Sequence, residues 1–137
     1  MAVGETAPMK PDFTGTYVLN REVCTLSPGA SSIVAAELHL VHIEPKFSCS
    51  ARFISADNKM EFTFERFTDG REVAINEGET SRWYWDGKAI VSEDPFGSGG
   101  IMIWRYELVA NGSRLRATEQ IRSAAHNQNN VWEFERR

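Results

Sequence analysis

Apolar and polar positions alternate along this chain with a period close to two for most of its length. Residues 13–19 (Phe-Thr-Gly-Thr-Tyr-Val-Leu) read as a half-buried strand. The pattern then breaks over residues 20–36, which carry Pro28 and Gly29. Within that stretch Ser31 or Ser32 stands where an N-cap would, so one short helical turn is expected over residues 33–36. From Leu38 onward the alternation returns. Strands are expected over 38–44, 47–55, 60–67, 72–76, 80–85, 88–93, 101–109, 114–122 and 131–136. The turns between them are legible, and Asp86-Gly87 and Asn111-Gly112 are the strongest hairpin signals.

Short connections of this kind make neighbours antiparallel, and the expected topology is a meander of ten strands. A meander leaves two costly edges unless it closes. Closure of the first strand on the last predicts an all-β, single closed up-and-down antiparallel barrel. A β-sandwich is the rival, but its crossovers want a long connection late in the chain, and the long connection here is residues 20–36. The expected organisation is a flexible tail over residues 1–11 and one barrel domain over 12–137.

Alternation also sorts residues onto faces. Phe13, Gly15, Tyr17 and Leu19 share one. So do Phe47, Cys49, Ala51 and Phe53, then Met60, Phe62, Phe64 and Arg66, then Ser81, Trp83 and Trp85. The later strands give Met102, Trp104, Tyr106 and Leu108, then Leu115, Ala117, Glu119 and Ile121, and finally Trp132, Phe134 and Arg136. Apolar walls with a few placed polar groups are how small-molecule pockets are built, and a barrel of this size is too wide for side chains to fill. The competing reading is that the aromatics simply pack a solid core.

Composition narrows the options. The chain has 137 residues, 42% of them hydrophobic and 25% charged, with a formal net charge of −4. That is an ordinary globular composition without the basic footprint that nucleic-acid binding needs. No apolar run is long enough to span a bilayer, and residues 1–9 do not read as a secretory signal, so the expected setting is the cytoplasm. The two cysteines, Cys24 and Cys49, are expected as free thiols, with a bridge from the first loop to the barrel wall as the alternative. Their spacing makes no metal site, and there is no nucleophile elbow or dinucleotide fingerprint, so no cofactor is expected. The expected partner is one small apolar or aromatic molecule, with the protein a monomer or homodimer.

The candidate ligand-binding residues are Phe62, Phe64, Arg66, Trp83, Trp104, Tyr106, Glu119, Trp132 and Phe134. Glu119 stands among apolar neighbours, either as a ligand anchor or acid/base, or as a pair for Arg66 or Arg105. Arg66 either binds a carboxylate or carbonyl or sits at a rim. His39 and His42 fall on opposite faces of one strand, so one of them faces inward. The alternative to binding is an isomerase or cyclase acting on a hydrophobic molecule by acid/base chemistry, with Glu119, His42 and Tyr106 as its candidate groups. A third reading is a ligand-free interaction domain.

The strand containing Gly15-Thr16-Tyr17 resembles the opening strand of the calycin superfamily, the lipocalins and fatty-acid-binding proteins, whose signature is Gly, any residue, Trp. That superfamily packs a basic residue from the last strand across the aromatic, and Arg136 matches it by position. Chain length and strand count resemble the fatty-acid-binding-protein branch. The resemblance implies a ten-strand barrel with an interior ligand. Where that branch carries an Arg and, two residues later, a Tyr as its carboxylate anchor, this chain has Trp132 and Phe134.

Overall fold

The structure is a computed structural model and describes residues 10–137, so most of the expected tail lies outside the described residues. The ten strands are β1 (Gly15–Leu19), β2 (Ile33–Ile43), β3 (Lys46–Ser55), β4 (Asn58–Phe67), β5 (Asp69–Asn76), β6 (Glu79–Asp86), β7 (Ala89–Phe96), β8 (Gly100–Val109), β9 (Arg114–Arg122) and β10 (Asn127–Arg136). They form one antiparallel sheet in the order β4-β3-β2-β1-β10-β9-β8-β7-β6-β5. The all-β, up-and-down barrel expected from the alternation is therefore present, with β1 paired to β10 through Tyr17–Arg136 and Leu19–Phe134.

The closure of this joint follows from three residues. Gly15 has φ +154°, and a Cβ there would meet Arg136 Nε at 3.1 Å. Its bare backbone lets Arg136 lie across β1, where the guanidinium stands 5.6 Å from the Tyr17 ring centroid. Arg136 also donates to the carbonyls of Thr14 at 2.6 Å, Asp12 at 3.1 Å and Gly112 at 3.1 Å. The Tyr17 hydroxyl, fully buried, donates to Phe13 O at 2.7 Å.

Two expectations are corrected. Residues 33–36 are not helical. Ile33 and Val34 are β-branched, and they begin β2, pairing with the end of β3 through a bulge between Ile33 and Ala35. The one helical segment among the described residues is a 3₁₀ turn at Arg21–Val23. The barrel is also not fully sealed, because β4 and β5 share no hydrogen-bonded pairing. A single residue, Thr68, joins them, too short a loop for a hairpin. Thr68 is instead tied to the β2–β3 turn, its N–H donating to Pro45 O at 2.8 Å and its hydroxyl to Glu44 Oε1 at 2.5 Å.

The ends of the barrel are distinct. The floor holds the β2–β3, β6–β7 and β8–β9 turns with Thr68. The opposite end holds the remaining turns and the segment of residues 20–32, which packs Leu26 and Ala30 onto the core as a cap. Arg136→Met should lower the unfolding free energy by about 2–4 kcal/mol, since it removes charge-assisted bonds to three carbonyls. Tyr17→Phe should cost about 1–2 kcal/mol by leaving Phe13 O buried and unpaired. Urea unfolding of each variant checks both, and a change near zero for Arg136→Met would remove the joint from the list of determinants.

Candidate functional site: the interior cavity

The inward faces enclose a cavity of about 280 Å³. β2 supplies Leu38 and Leu40, and β3 supplies Phe47, Cys49, Ala51 and Phe53. β4 contributes Phe62, Phe64 and Arg66, β6 Trp83, β7 Asp94, and β8 Met102, Trp104 and Tyr106. Leu115, Ala117, Trp132 and Phe134 complete the wall from β9 and β10. The two-residue period of the strands brings these side chains together, since each strand sends every second residue inward.

The wall is aromatic on two sides. Phe62 stacks with Phe53 and Phe64 on β3 and β4, at ring separations of 6.0 and 6.3 Å. Across the barrel Tyr106 stacks with Trp104 at 5.8 Å and with Trp83 at 5.3 Å. Phe62 is 40% exposed although it lines the cavity, so the interior opens to solvent beside the upper half of β4.

Of the residues expected at a site, Phe62, Phe64, Arg66, Trp83, Trp104, Tyr106, Trp132 and Phe134 line the cavity. Glu119 points inward but is not part of the lining. Its Oε1 accepts from Asn130 Nδ2 at 3.0 Å and Trp132 Nε1 at 3.2 Å. It pairs with neither Arg66 nor Arg105, the latter being taken up by Asp86 at 2.6 Å and Glu107 at 3.7 Å. Burial raises the Glu119 carboxyl above its ordinary value, against the lowering effect of those two bonds. Asn130 is itself buried, and its Oδ1 accepts from the Ser27 backbone N–H at 2.6 Å. The cap is thus bonded to the barrel interior through Asn130 and Glu119.

His42 is the inward-facing histidine and His39 the outward one, but His42 does not reach the cavity. Its Nδ1 accepts from Phe13 N–H at 3.2 Å, which leaves the proton on Nε2 to donate to Glu44 Oε1 at 2.8 Å. Both ring nitrogens are committed to hydrogen bonds within the wall. Glu44 also accepts from Trp85 Nε1 at 3.1 Å. Burial opposes its charge, but the bonds from Thr68, His42 and Trp85 outweigh it and hold the carboxyl below its usual value.

Burial pushes the Cys49 thiol up to about 12, which keeps it protonated. Cys24 is a separate free thiol, half-buried beside β10, accepting from Glu133 N–H at 3.3 Å. The Tyr106 phenol is pushed well up, chiefly by burial, and stays protonated. Two polar groups escape sequence reasoning. Asp94 precedes Pro95 and Gly97 and reads as a turn, yet β7 runs through it and turns it inward. Asn130 lies in a polar run, Asn127 to Asn130, without alternation to mark a face.

Glu119 gives a testable pH signature. Because its folded carboxyl is raised, its protonation stabilises the fold below the unfolded value of 4.5, and that contribution is lost as pH rises through the raised value. Glu119→Gln keeps an acceptor for Asn130 and Trp132 without the buried charge. It should match or exceed the wild type in stability at pH 7, with the advantage vanishing below pH 4.5. Glu119→Leu should lose about 1–3 kcal/mol at both, because two buried donors lose their acceptor. Urea unfolding as a function of pH reads all three, and a Glu119→Gln variant less stable than the wild type only at neutral pH would reverse the assignment.

No family model matches the chain, and no curated protein matches it by sequence. Solved structures do. The zebrafish ileal bile acid-binding protein complexed with cholic acid superposes with a TM-score of 0.66 at 12% identity, over 91% of this chain and 98% of that one. A secretory abundant heat soluble protein from Ramazzottius varieornatus gives 0.65 at 9% identity, over 96% and 100%. The Schistosoma mansoni fatty acid binding protein in complex with arachidonic acid gives 0.59 at 10% identity, over 91% and 96%. At these identities the likeness is one of fold, the ten-strand barrel that the fatty acid and bile acid binding proteins also have.

Proposed function

We propose that the protein binds one small, largely apolar molecule inside its barrel. The observation that carries this reading is the cavity itself. About 280 Å³ is left unfilled between walls of aromatic and aliphatic side chains, and the space opens to solvent beside Phe62. Apolar surface facing an empty space is costly unless an apolar ligand fills it. Barrels of the same fold support the reading, since the zebrafish and Schistosoma proteins are bound to cholic acid and arachidonic acid.

The geometry favours binding over catalysis. Of the three candidate acid/base groups, His42 is tied into the wall, and Tyr106 is held protonated by burial. Glu119 is engaged by Asn130 and Trp132 and stands behind the lining. None is presented to the cavity as a free base.

Titration with an uncharged apolar fluorophore should quench tryptophan emission and saturate at one equivalent, since Trp83, Trp104 and Trp132 line the space. Ala117→Trp, which fills the cavity from β9, should weaken that binding by roughly tenfold or more while leaving the far-ultraviolet circular dichroism unchanged. A flat titration of the wild type, together with native mass spectra free of any co-purifying molecule, would refute the reading.

A further inference from the structure

The polar groups around the cavity are few and stand at different heights along the barrel. Pairing runs His42–Phe47 and Phe47–Arg66 across β2, β3 and β4, which puts Arg66 at the floor. Asp94 pairs with Met102 and Met102 with Ile121, close to the β7–β8 turn at the opposite end. Glu119, paired with Trp104, stands behind the lining on the same upper side.

Asp94 is a half-buried carboxylate in a lining that is otherwise almost wholly apolar. Among the described residues it forms no ion pair and no side-chain hydrogen bond. The arginines next to it in the register are engaged elsewhere. Arg82 donates to Glu93 at 3.0 Å, and Arg122 donates to the carbonyls of Ile121 and Gln128 and to Asn129 Oδ1. An ionised carboxylate only accepts, so what completes Asp94 from within the cavity is a donor, and a charged donor bonds it most strongly.

The aromatic wall faces the same point. Along β8 the inward residues rise from Tyr106 through Trp104 to Met102. Trp104 lies within 6° of parallel to Tyr106 at 5.8 Å. Tyr106 therefore covers one face of the indole, and the other face is turned toward Met102 and Asp94. Asp94 and Trp104 are diagonal neighbours across the β7–β8 ladder, about 7–8 Å apart along the backbone, so one ammonium group can touch both. The Tyr106 phenol lies in the same field: after burial, acidic neighbours including Asp94 and Glu119 push it further up.

We propose that Asp94 and the uncovered face of Trp104 form an ammonium subsite near the mouth, and that the ligand is a cationic amphiphile, an alkyl or aryl amine protonated at neutral pH. Its N–H groups donate to Asp94 while its charge lies over the indole. Its apolar body descends past Tyr106 and Phe64 into the barrel. Arg66 repels a cation from the floor, which disfavours the reversed pose. This inference rests on the binding reading above and adds the ligand's charge and direction.

Calorimetry at pH 7 with dodecylamine, 1-dodecanol and laurate below their micellar concentrations tests the charge, because the three share a chain length and differ in the head. Dodecylamine should bind roughly tenfold or more tightly than dodecanol, with laurate weakest. Asp94→Asn should bring dodecylamine to the affinity of dodecanol and leave dodecanol within about twofold. Trp104→Leu should narrow the ratio between the two ligands by about threefold, through loss of the ring face. Dodecylamine no tighter than dodecanol on the wild type, laurate tighter than dodecanol, or an equal loss of dodecylamine and dodecanol in Asp94→Asn overturns the ammonium subsite and leaves hydrophobic binding standing. No binding of any of the three overturns both.

Discussion

Arg136 carries the joint between the two ends of the sequence. Its guanidinium gathers two carbonyls from the chain leading into β1 and one from the β8–β9 turn, and it covers the Tyr17 ring. Without that joint the sheet would divide into two, β1 to β4 and β5 to β10, because β4 and β5 are not paired, and the inner faces would be exposed to water. Glycine at position 15 leaves room for it, because a Cβ there would stand 3.1 Å from Arg136 Nε. The interior exists as a cavity only because the first strand is held against the last.

Once the barrel is closed, each polar group inside it must find a partner or carry a cost. The floor meets this demand through Glu44, a single carboxylate oxygen serving His42, Thr68 and Trp85. The same cluster fixes Thr68, the residue between β4 and β5, to the β2–β3 turn. The upper end meets it through Glu119 and Asn130, which join the cap to β9 and β10. In both places a titratable group is engaged in holding the structure, which is why neither His42 nor Glu119 is presented as a reactive group. Arg66 differs, since the protein provides its Nε with no acceptor.

Much of this was legible in the sequence. The alternation from Leu38 onward locates β2 to β10 to within a few residues, and its parity assigns Phe47, Phe64, Trp83, Trp104 and Trp132 to the inside. Gly15, Tyr17 and Arg136 mark the closure. The failures have physical causes. Residues 33–36 form a short apolar run after two serines, which suits a capped helix or a strand equally, and only pairing with β3 decides it. The seam is invisible because nothing in Thr68-Asp69-Gly70 distinguishes a hairpin turn from a one-residue connection pinned to a turn elsewhere. Parity could narrow His39 and His42 to one inward residue but not say which, and it could not show that the inward one is held by Phe13 and Glu44.

The seam bears on how the cavity is used. In a barrel closed all round, strand ladders would restrain every wall equally, and a ligand could enter only at an end. Here β4 and β5 lack mutual backbone bonds, and side chains such as Phe64 against Trp83 at 5.5 Å bridge that side instead. Contacts between side chains yield at a lower cost than a hydrogen-bonded ladder, because rotamer changes leave no backbone group unpaired. Phe62, the exposed wall residue, and Arg66, the incompletely bonded one, both stand on β4. The unpaired edge of β4, the opening beside Phe62 and the unpartnered Arg66 Nε therefore belong to one strand.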